Sequence, residues 1–533
     1  MSDSKPAGSA DRAAADKRDL LSRRLRGARA ALDAERAKAT REGGIERREE
    51  AGRAPLSLAQ ERLWFLERLI PGTPLYNVGR ALALEGSLDR AALAEALRRV
   101  VARHEVWRTG FVELEEAGEA LPVQRIEEDV ALPLPVVDLS ALPQGERDRE
   151  AARLATASAR RPFDVRRPPL LRALLLATAA ERHRLVLTVH HLVFDGWSLG
   201  VLLRELSQAY RSLVDDTTAD GTTAELPELP IQYGDFAAWE RATLRAADDD
   251  GGVGWWSERL ADLPPLDLPT DRPRGGERSL RAEAVDFALP ADEVDRLRET
   301  ALAARGSLYM VLLAGWAVLL ARYTGGERFA VGTPVAGRGE KETEGLIGFF
   351  VNTLALPLDA SGDPTAAQLV ERVRDGVFAA LEHQEVPLAR VVAALAPERS
   401  LAHSPLFQTS FALQNAPLGD LDLPGVRLTD LSVVHRGAGD QDLNLSLEET
   451  ADGGLGGFLL FDPALFDRAT AERLLGHYRR LLSALAGAPE RRLSELAMLD
   501  EGELTHLTRE LPGETSGYPR DATLASMLRA TVA

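Results

Sequence analysis

Hydrophobic and polar positions follow two different periods along this chain from Pro55 onward. Leu171–Ala177 and His183–Val189 are apolar runs of strand length. Other stretches repeat at helical spacing. From Trp197, residues Leu199, Leu202, Leu203, Leu206 and Leu213 fall on one face of a helix. Strands interleaved with amphipathic helices predict an α/β (α+β) class. The most apolar stretch is Leu308–Ala321. It is shorter than the about 20 residues that cross a bilayer. Ser307 can cap its start and Gly325-Gly326 can end it, so it is predicted as a buried core helix.

The pattern breaks at a few places. Asp215–Pro230 is polar and then proline-rich, and is a candidate crossing between two lobes. Asp262–Gly276 is a second irregular, proline-rich stretch. Residues 1–52 are charged and rich in Ala and Arg, with Leu21, Leu25, Ala28 and Leu32 on one helical stripe. They read as a solvated leader or as a docking helix for an upstream protein. The tail changes character at Asp500, with a linker at Thr515–Arg520 and a helix starting at Thr523. At 533 residues the chain exceeds one core, which stops growing near ~250–300 residues. The expected division is a leader 1–52, a first lobe 53–225, a second lobe 226–499 and a tail 500–533.

Composition narrows the chemistry. The net charge is −18, which disfavours a nucleic-acid partner, because phosphate binding needs a basic surface. The N-terminus lacks the apolar core of a signal peptide. A cytoplasmic, monomeric protein with no membrane partner is expected. There is no cysteine, so disulfides, thiolate metal sites and a cysteine nucleophile are excluded by count.

Nine histidines are present, and only His190 and His191 are adjacent. They follow Leu185–Val189, a good strand, in which neighbours point to opposite faces. One histidine should pack into structure and the other should face a cavity. Gly196 permits a tight turn before the helix that begins near Trp197. The free N–H groups at that helix start suit a reaction that develops negative charge on oxygen. A metal held by His191 and Asp195 would need a third ligand, and none is apparent, so no metal is expected. Gly196–Gly200 matches GxSxG, but that motif needs a strand running straight into the serine turn. Here the histidine pair intervenes, and Ser198 reads as a helix cap.

The string His190–Gly196, HHLVFDG, resembles the HHxxxDG signature of nonribosomal peptide synthetase condensation domains. Ser57–Leu66, Arg103–Phe111, Tyr233–Trp239, Ile347–Thr353 and His383–Pro387 are similar to further motifs of that family, in the right order. Gly332–Arg338 is family-like and Arg399–Leu406 is a looser match. Trp107 and Leu388 depart from the usual leucine and phenylalanine. Tyr518–Asp521 resembles the start of an adenylation domain.

The resemblance implies two chloramphenicol acetyltransferase-like lobes in a V-shaped pseudo-dimer, with a tunnel between them. It implies amide formation between a donor thioester on an upstream carrier protein and the amine of an aminoacyl thioester on a downstream one. The phosphopantetheine arms belong to the carriers, and the domain binds no cofactor of its own. His191 is the expected base or positioning group, with His190, Asp195 and Gly196 around it. Asp195 is expected to pair with Arg338, Gly196 to help host the oxyanion, and Trp197, Ser198 and Asn415 to face substrate. The adjoining adenylation domain is a further implied partner. A starter domain that loads a fatty acyl group and a silent carrier-binding platform remain as alternatives.

Overall fold

The computed structural model describes residues 44–116, 119–214, 226–246, 251–395, 404, 406–415, 421–511 and 522–532. The expected leader stripe, most of the Asp215–Pro230 crossing, the Thr515–Arg520 linker, Tyr518–Asp521 and most of Arg399–Leu406 lie outside them. In the first half the strands are β1 (Arg53–Pro55), β2 (Asn77–Gly86), β3 (Thr109–Glu116), β4 (Glu119–Ile126), β5 (Val136–Asp138), β6 (Leu171–Ala179) and β7 (Arg182–His190). Then come β8 (Glu283–Leu289), β9 (Arg328–Val335), β10 (Asn352–Asp359) and β11 (Thr409–Gln414). The last are β12 (Asp422–Leu423), β13 (Val426–Val434), β14 (Leu443–Glu449) and β15 (Leu455–Phe461).

Two six-stranded sheets carry the fold, in the orders β12-β13-β2-β7-β6-β5 and β10-β9-β11-β14-β15-β8. A small third sheet has the order β1-β4-β3. The two apolar runs read from the sequence are the antiparallel neighbours β6 and β7. Each large sheet is covered by helices that bury an apolar face. The helix Arg90–Arg103 is capped by Asp89, whose carboxylate accepts from the N–H groups of Ala91 and Ala92. It buries Leu93, Leu97 and Val100 in the first core.

In the second core lies the helix Leu308–Thr324, ended by Gly325 at φ 70°. It packs on the helix Arg468–Gly487 through Tyr478, whose hydroxyl donates to Leu312 O at 3.0 Å. A Cβ at Gly315 would lie 2.5 Å from Leu482 Cδ2, so this close helix crossing depends on the missing side chain. No single helix among the described residues is long and apolar enough to cross a membrane.

The lobe boundary expected at residues 225/226 does not follow the cores. Ile231, Tyr233 and Phe236 belong to the first core, as do Leu346, Phe349, Phe350, Leu421 and Leu423. The strand β13 leaves the second lobe altogether and pairs with β2. The two lobes are therefore interlocked by segments that sequence order assigns to the second.

The boundary expected at residue 52 also moves. Ile45 is buried, and Arg48 Nη1 pairs with Asp235 at 2.6 Å. At the other end the body continues past residue 499. Glu503 bonds His477 Nε2 at 2.8 Å and pairs with Arg480 at 3.1 Å. The helix expected from Thr523 runs over Leu524–Val532.

Candidate active site

The histidine pair sits where β7 ends and the chain turns into the helix Gly196–Val214. His190 is the last residue of β7, opposite Asn77 of β2. Its Nδ1 accepts from the Leu192 N–H at 3.2 Å, so the proton resides on Nε2. That nitrogen donates to Glu67 Oε1 at 3.1 Å. Tyr76 and Phe163 close around the ring edge-on, and His190 is 1% exposed. It is the packed member of the pair.

His191 opens a short 3₁₀ turn, His191–Val193. Its N–H donates to Tyr76 O at 2.8 Å. Its Nδ1 lies 2.9 Å from the Phe194 carbonyl, which can only accept, so Nδ1 carries the proton. Nε2 is left with its lone pair. The ring lies edge-to-face with Phe349 and lines a cavity of about 240 Å³. Burial, followed by the charge of Arg436, pulls its pKa down to about 3. His191 is a neutral hydrogen-bond acceptor at physiological pH.

The cavity lies between the two large sheets. Arg80 of β2 lines one side, Ser410 and Gln414 of β11 and Asn444 of β14 line the other, and Arg436 lines it from the crossover after β13. A larger open cleft, about 920 Å³, lies on the first lobe among Arg47, Arg98, Arg99 and Arg103. It holds no histidine, and Arg47, Arg98, Arg99 and Arg103 are each paired with a glutamate. The chemistry therefore places the site at the smaller cavity.

Asp195 faces away from this cavity into a buried lock. Its Oδ1 accepts from the Ser198 N–H at 2.8 Å and hydroxyl at 2.7 Å, and its Oδ2 from the Phe350 N–H at 3.1 Å. Arg338 Nη2 reaches Oδ1 at 3.1 Å and Oδ2 at 3.2 Å. Arg338 also donates to Leu346 O at 2.9 Å and stacks on Phe350 at 3.9 Å. The lock ties the start of the site helix to the segment before β10, and so holds the turn bearing His191.

Three expectations change here. Ser198 does not cap its own helix; Asp195 does. The Ser198 hydroxyl lies fully buried, 3.0 Å from Gly348 O and accepting from the Gly348 N–H at 3.0 Å. It has no access to substrate, which removes both its expected tunnel role and the nucleophile-elbow reading. Trp197 donates its Nε1 to Glu344 O at 3.0 Å and faces a separate pocket with Val201 and Lys341. Asn415 is exposed just past β11, and its neighbour Gln414 lines the cavity instead. Gly196 is exposed, with Gln414 Oε1 3.6 Å from where its Cβ would be. Among the described residues no group of three or more His, Cys, Asp or Glu side chains is placed to hold a metal ion.

Sequence reasoning missed Glu67, Arg80, Ser410 and Arg436. Glu67 sits on the helix Leu58–Leu69 that begins with the expected opening motif, and Arg80 is a charged residue inside the strand Asn77–Gly86. Ser410 and Arg436 carried no comparable signal.

A family model described as Condensation domain matches residues 50–508. A component of the linear gramicidin synthase of Brevibacillus parabrevis is 40% identical over 484 residues, which are 90% of this chain and 6% of that protein. Phosphinothricin tripeptide synthetase PhsC of Streptomyces viridochromogenes is 38% identical over 477 residues, 89% of this chain and 43% of that protein. The chain thus spans less than half the length of these curated relatives. Among solved structures, the X-domain from teicoplanin biosynthesis aligns with TM-score 0.73 at 31% identity, covering 86% of this chain and 100% of that one. The first condensation domain of the CDA synthetase aligns with TM-score 0.72 at 26% identity, covering 84% and 100%.

Proposed function

The chain belongs to the condensation-domain family of nonribosomal peptide synthetases, with its chloramphenicol acetyltransferase-like fold, and from that premise we propose that it forms an amide at His191. The donor is an acyl or peptidyl thioester on an upstream carrier protein. The acceptor is the amine of an aminoacyl thioester on a downstream carrier. Both arrive on phosphopantetheine arms, and no cofactor resides on the domain. The amine nitrogen attacks the donor carbonyl, the C–N bond forms and the C–S bond breaks. The proton lost from nitrogen ends on the departing thiolate.

The observation that carries this reading is the anchored His191 ring. Its Nδ1–H is fixed on Phe194 O while the ring lines a cavity between the two sheets. With a pKa near 3, His191 cannot strip a proton from an ammonium ion. It accepts a hydrogen bond from the neutral amine and aims the nitrogen lone pair at the carbonyl. Positioning of this kind supplies up to ~7–11 kcal/mol of a barrier. As positive charge grows on the nitrogen, Nε2 strengthens its hydrogen bond and steers the leaving proton toward the departing thiolate.

Intact-mass analysis of a loaded acceptor carrier, offered fatty acyl, aminoacyl and peptidyl donors, tests the proposal. An amide-linked adduct from aminoacyl or peptidyl donors is expected. Adducts from fatty acyl donors alone would make this a starter domain. A binding platform is the second reading, supported by the likeness to a teicoplanin X-domain whose complex with OxyB has been solved. It predicts carrier binding with no adduct.

A further inference from the structure

The cavity beside His191 holds two guanidinium groups that the amide chemistry does not use. Arg80 sits on β2 of the first sheet, and Arg436 sits in the crossover from β13 to β14. Arg80 Nη1 donates to Gly79 O at 3.1 Å, and Arg436 Nη1 donates to Asn77 O at 3.2 Å. Neither arginine makes an ion pair among the described residues. Arg436 Nε is buried without a partner, and so is the hydroxyl of Ser410, which lines the cavity from the opposite sheet. The carboxylates that act on these arginines are Glu448 for Arg80 and Asp440 for Arg436. Glu448 is exposed at the end of β14, where solvent screens it, and Asp440 is half-buried but makes no ion pair with Arg436.

Arg80 and Arg436 are half-buried, and a guanidinium drawn partly out of water without a paired anion is costly. Burial pushes the pKa of both arginines below its ordinary value, in accord with that cost. Burial pushes the pKa of His191 and of His435 down, so neither ring adds a competing positive charge to the cavity. The guanidinium plane offers parallel N–H donors that match a carboxylate. The phosphodiester of a carrier arm lies at its protein end, remote from the thioester, and so is not the anion beside His191. Gly79, Ala412, Ala438 and Gly457 line the same space and leave room for a substrate side chain.

We propose that this cavity selects a substrate bearing a carboxylate close to its reacting end, held by Arg80, Arg436 and Ser410. The carboxylate belongs to an acidic residue on either the donor or the acceptor. This inference rests on the amide-forming reading above.

The test uses the full chain with loaded carriers. Aspartyl is compared with asparaginyl, and glutamyl with glutaminyl, first as donors and then as acceptors. A charge-assisted contact of this kind predicts about a 10- to 100-fold preference in kcat/KM for the acid in one of the two positions. The position that responds identifies the source of the carboxylate. In Arg436→Gln the acid-over-amide ratio should fall at least about tenfold, with Arg80→Gln moving the same way and Arg436→Lys retaining part of it. Thermal midpoints confirm that the variants fold, and the wild-type comparison needs no variant.

Equal use of acid and amide in both positions overturns the inference. So does an equal loss for both in Arg436→Gln, which would mean that the arginine acts on the common carbonyl. Amide product from neutral substrates without preference removes only this inference. No product from any pair overturns the amide-forming reading beneath it.

Discussion

Arg338 Nη2 lies 3.1 Å and 3.2 Å from the two carboxylate oxygens of Asp195, and both side chains are 1% exposed. The two residues come from opposite halves of the chain, so the pair stitches the site helix to the segment that precedes β10. Asp195 stands four positions after His191, yet its carboxylate points into this lock and not into the cavity. We infer that it holds the turn.

Breaking one side of the pair leaves an uncompensated buried charge. Asp195→Asn and Arg338→Met should each lower unfolding free energy by about 3–5 kcal/mol. Urea denaturation measures it. Any activity lost should follow the unfolded fraction. A variant that is fully folded and inactive would instead place Asp195 in the chemistry.

Ser198→Ala removes a buried hydroxyl bonded to Asp195, Arg338 and Gly348. It should cost about 1–3 kcal/mol and keep most of the transfer rate. A folded, inactive Ser198→Ala, together with labelling of the wild type by a serine-directed reagent, would restore the hydrolase reading.

The segment after residue 43 is part of the body. Arg48 joins Asp235 and Glu105, and Ile45 is buried. A chain lacking residues 1–52 should therefore melt several degrees below one lacking residues 1–43, by the ordinary scale for a lost buried ion pair and core contact. Equal melting temperatures would mean that this segment contributes nothing to stability.

The low pKa of His191 has a pH signature. Burial brings it to about 3, against about 6.5 for an unfolded imidazole. Between those values the unfolded chain binds the extra proton, so the His191 contribution to stability is present above pH 6.5 and lost as pH falls. Relative to His191→Asn, the wild type should lose stability as pH drops from about 6.5 to 4.5, by at most about 1.4 kcal/mol per unit. The activity profile should rise through the range of the acceptor amine, about 7.7–8.0, with no break near 6.5. A parallel pH dependence of stability in both proteins would contradict the half-buried, neutral His191.

Much of this was legible in the sequence because it depends on local patterns. The β6–β7 hairpin, the site helix and the core helix at Leu308 each declare themselves by spacing. The split between a packed His190 and a cavity-facing His191 follows from their adjacency at a strand end. Long-range partnership was harder to see. Nothing local shows that β13 crosses to pair with β2, so a boundary drawn along the sequence does not follow the cores. Ser198 reads as a cap because serine is among the preferred cap residues, but aspartate is equally favoured and Asp195, three residues earlier, takes that position. Trp197 is expected near substrate because it follows the histidine motif, and Asn415 is expected there as part of Leu413–Asn415. Their direction depends on Glu344 and on the end of β11. Arg436 lies in a loop whose meaning appears only once β13 pairs with β2 and brings that loop beside Arg80 and His191.

The most direct test is single-turnover transfer between a donor-loaded and an acceptor-loaded carrier, followed by intact-mass analysis in wild type and His191→Ala. The wild type should yield an amide-linked product on the downstream carrier. His191→Ala should yield it ~10²–10⁴-fold more slowly with an unchanged thermal midpoint. Wild-type transfer rates in His191→Ala, or no amide from the wild type with both carriers loaded, would contradict the account.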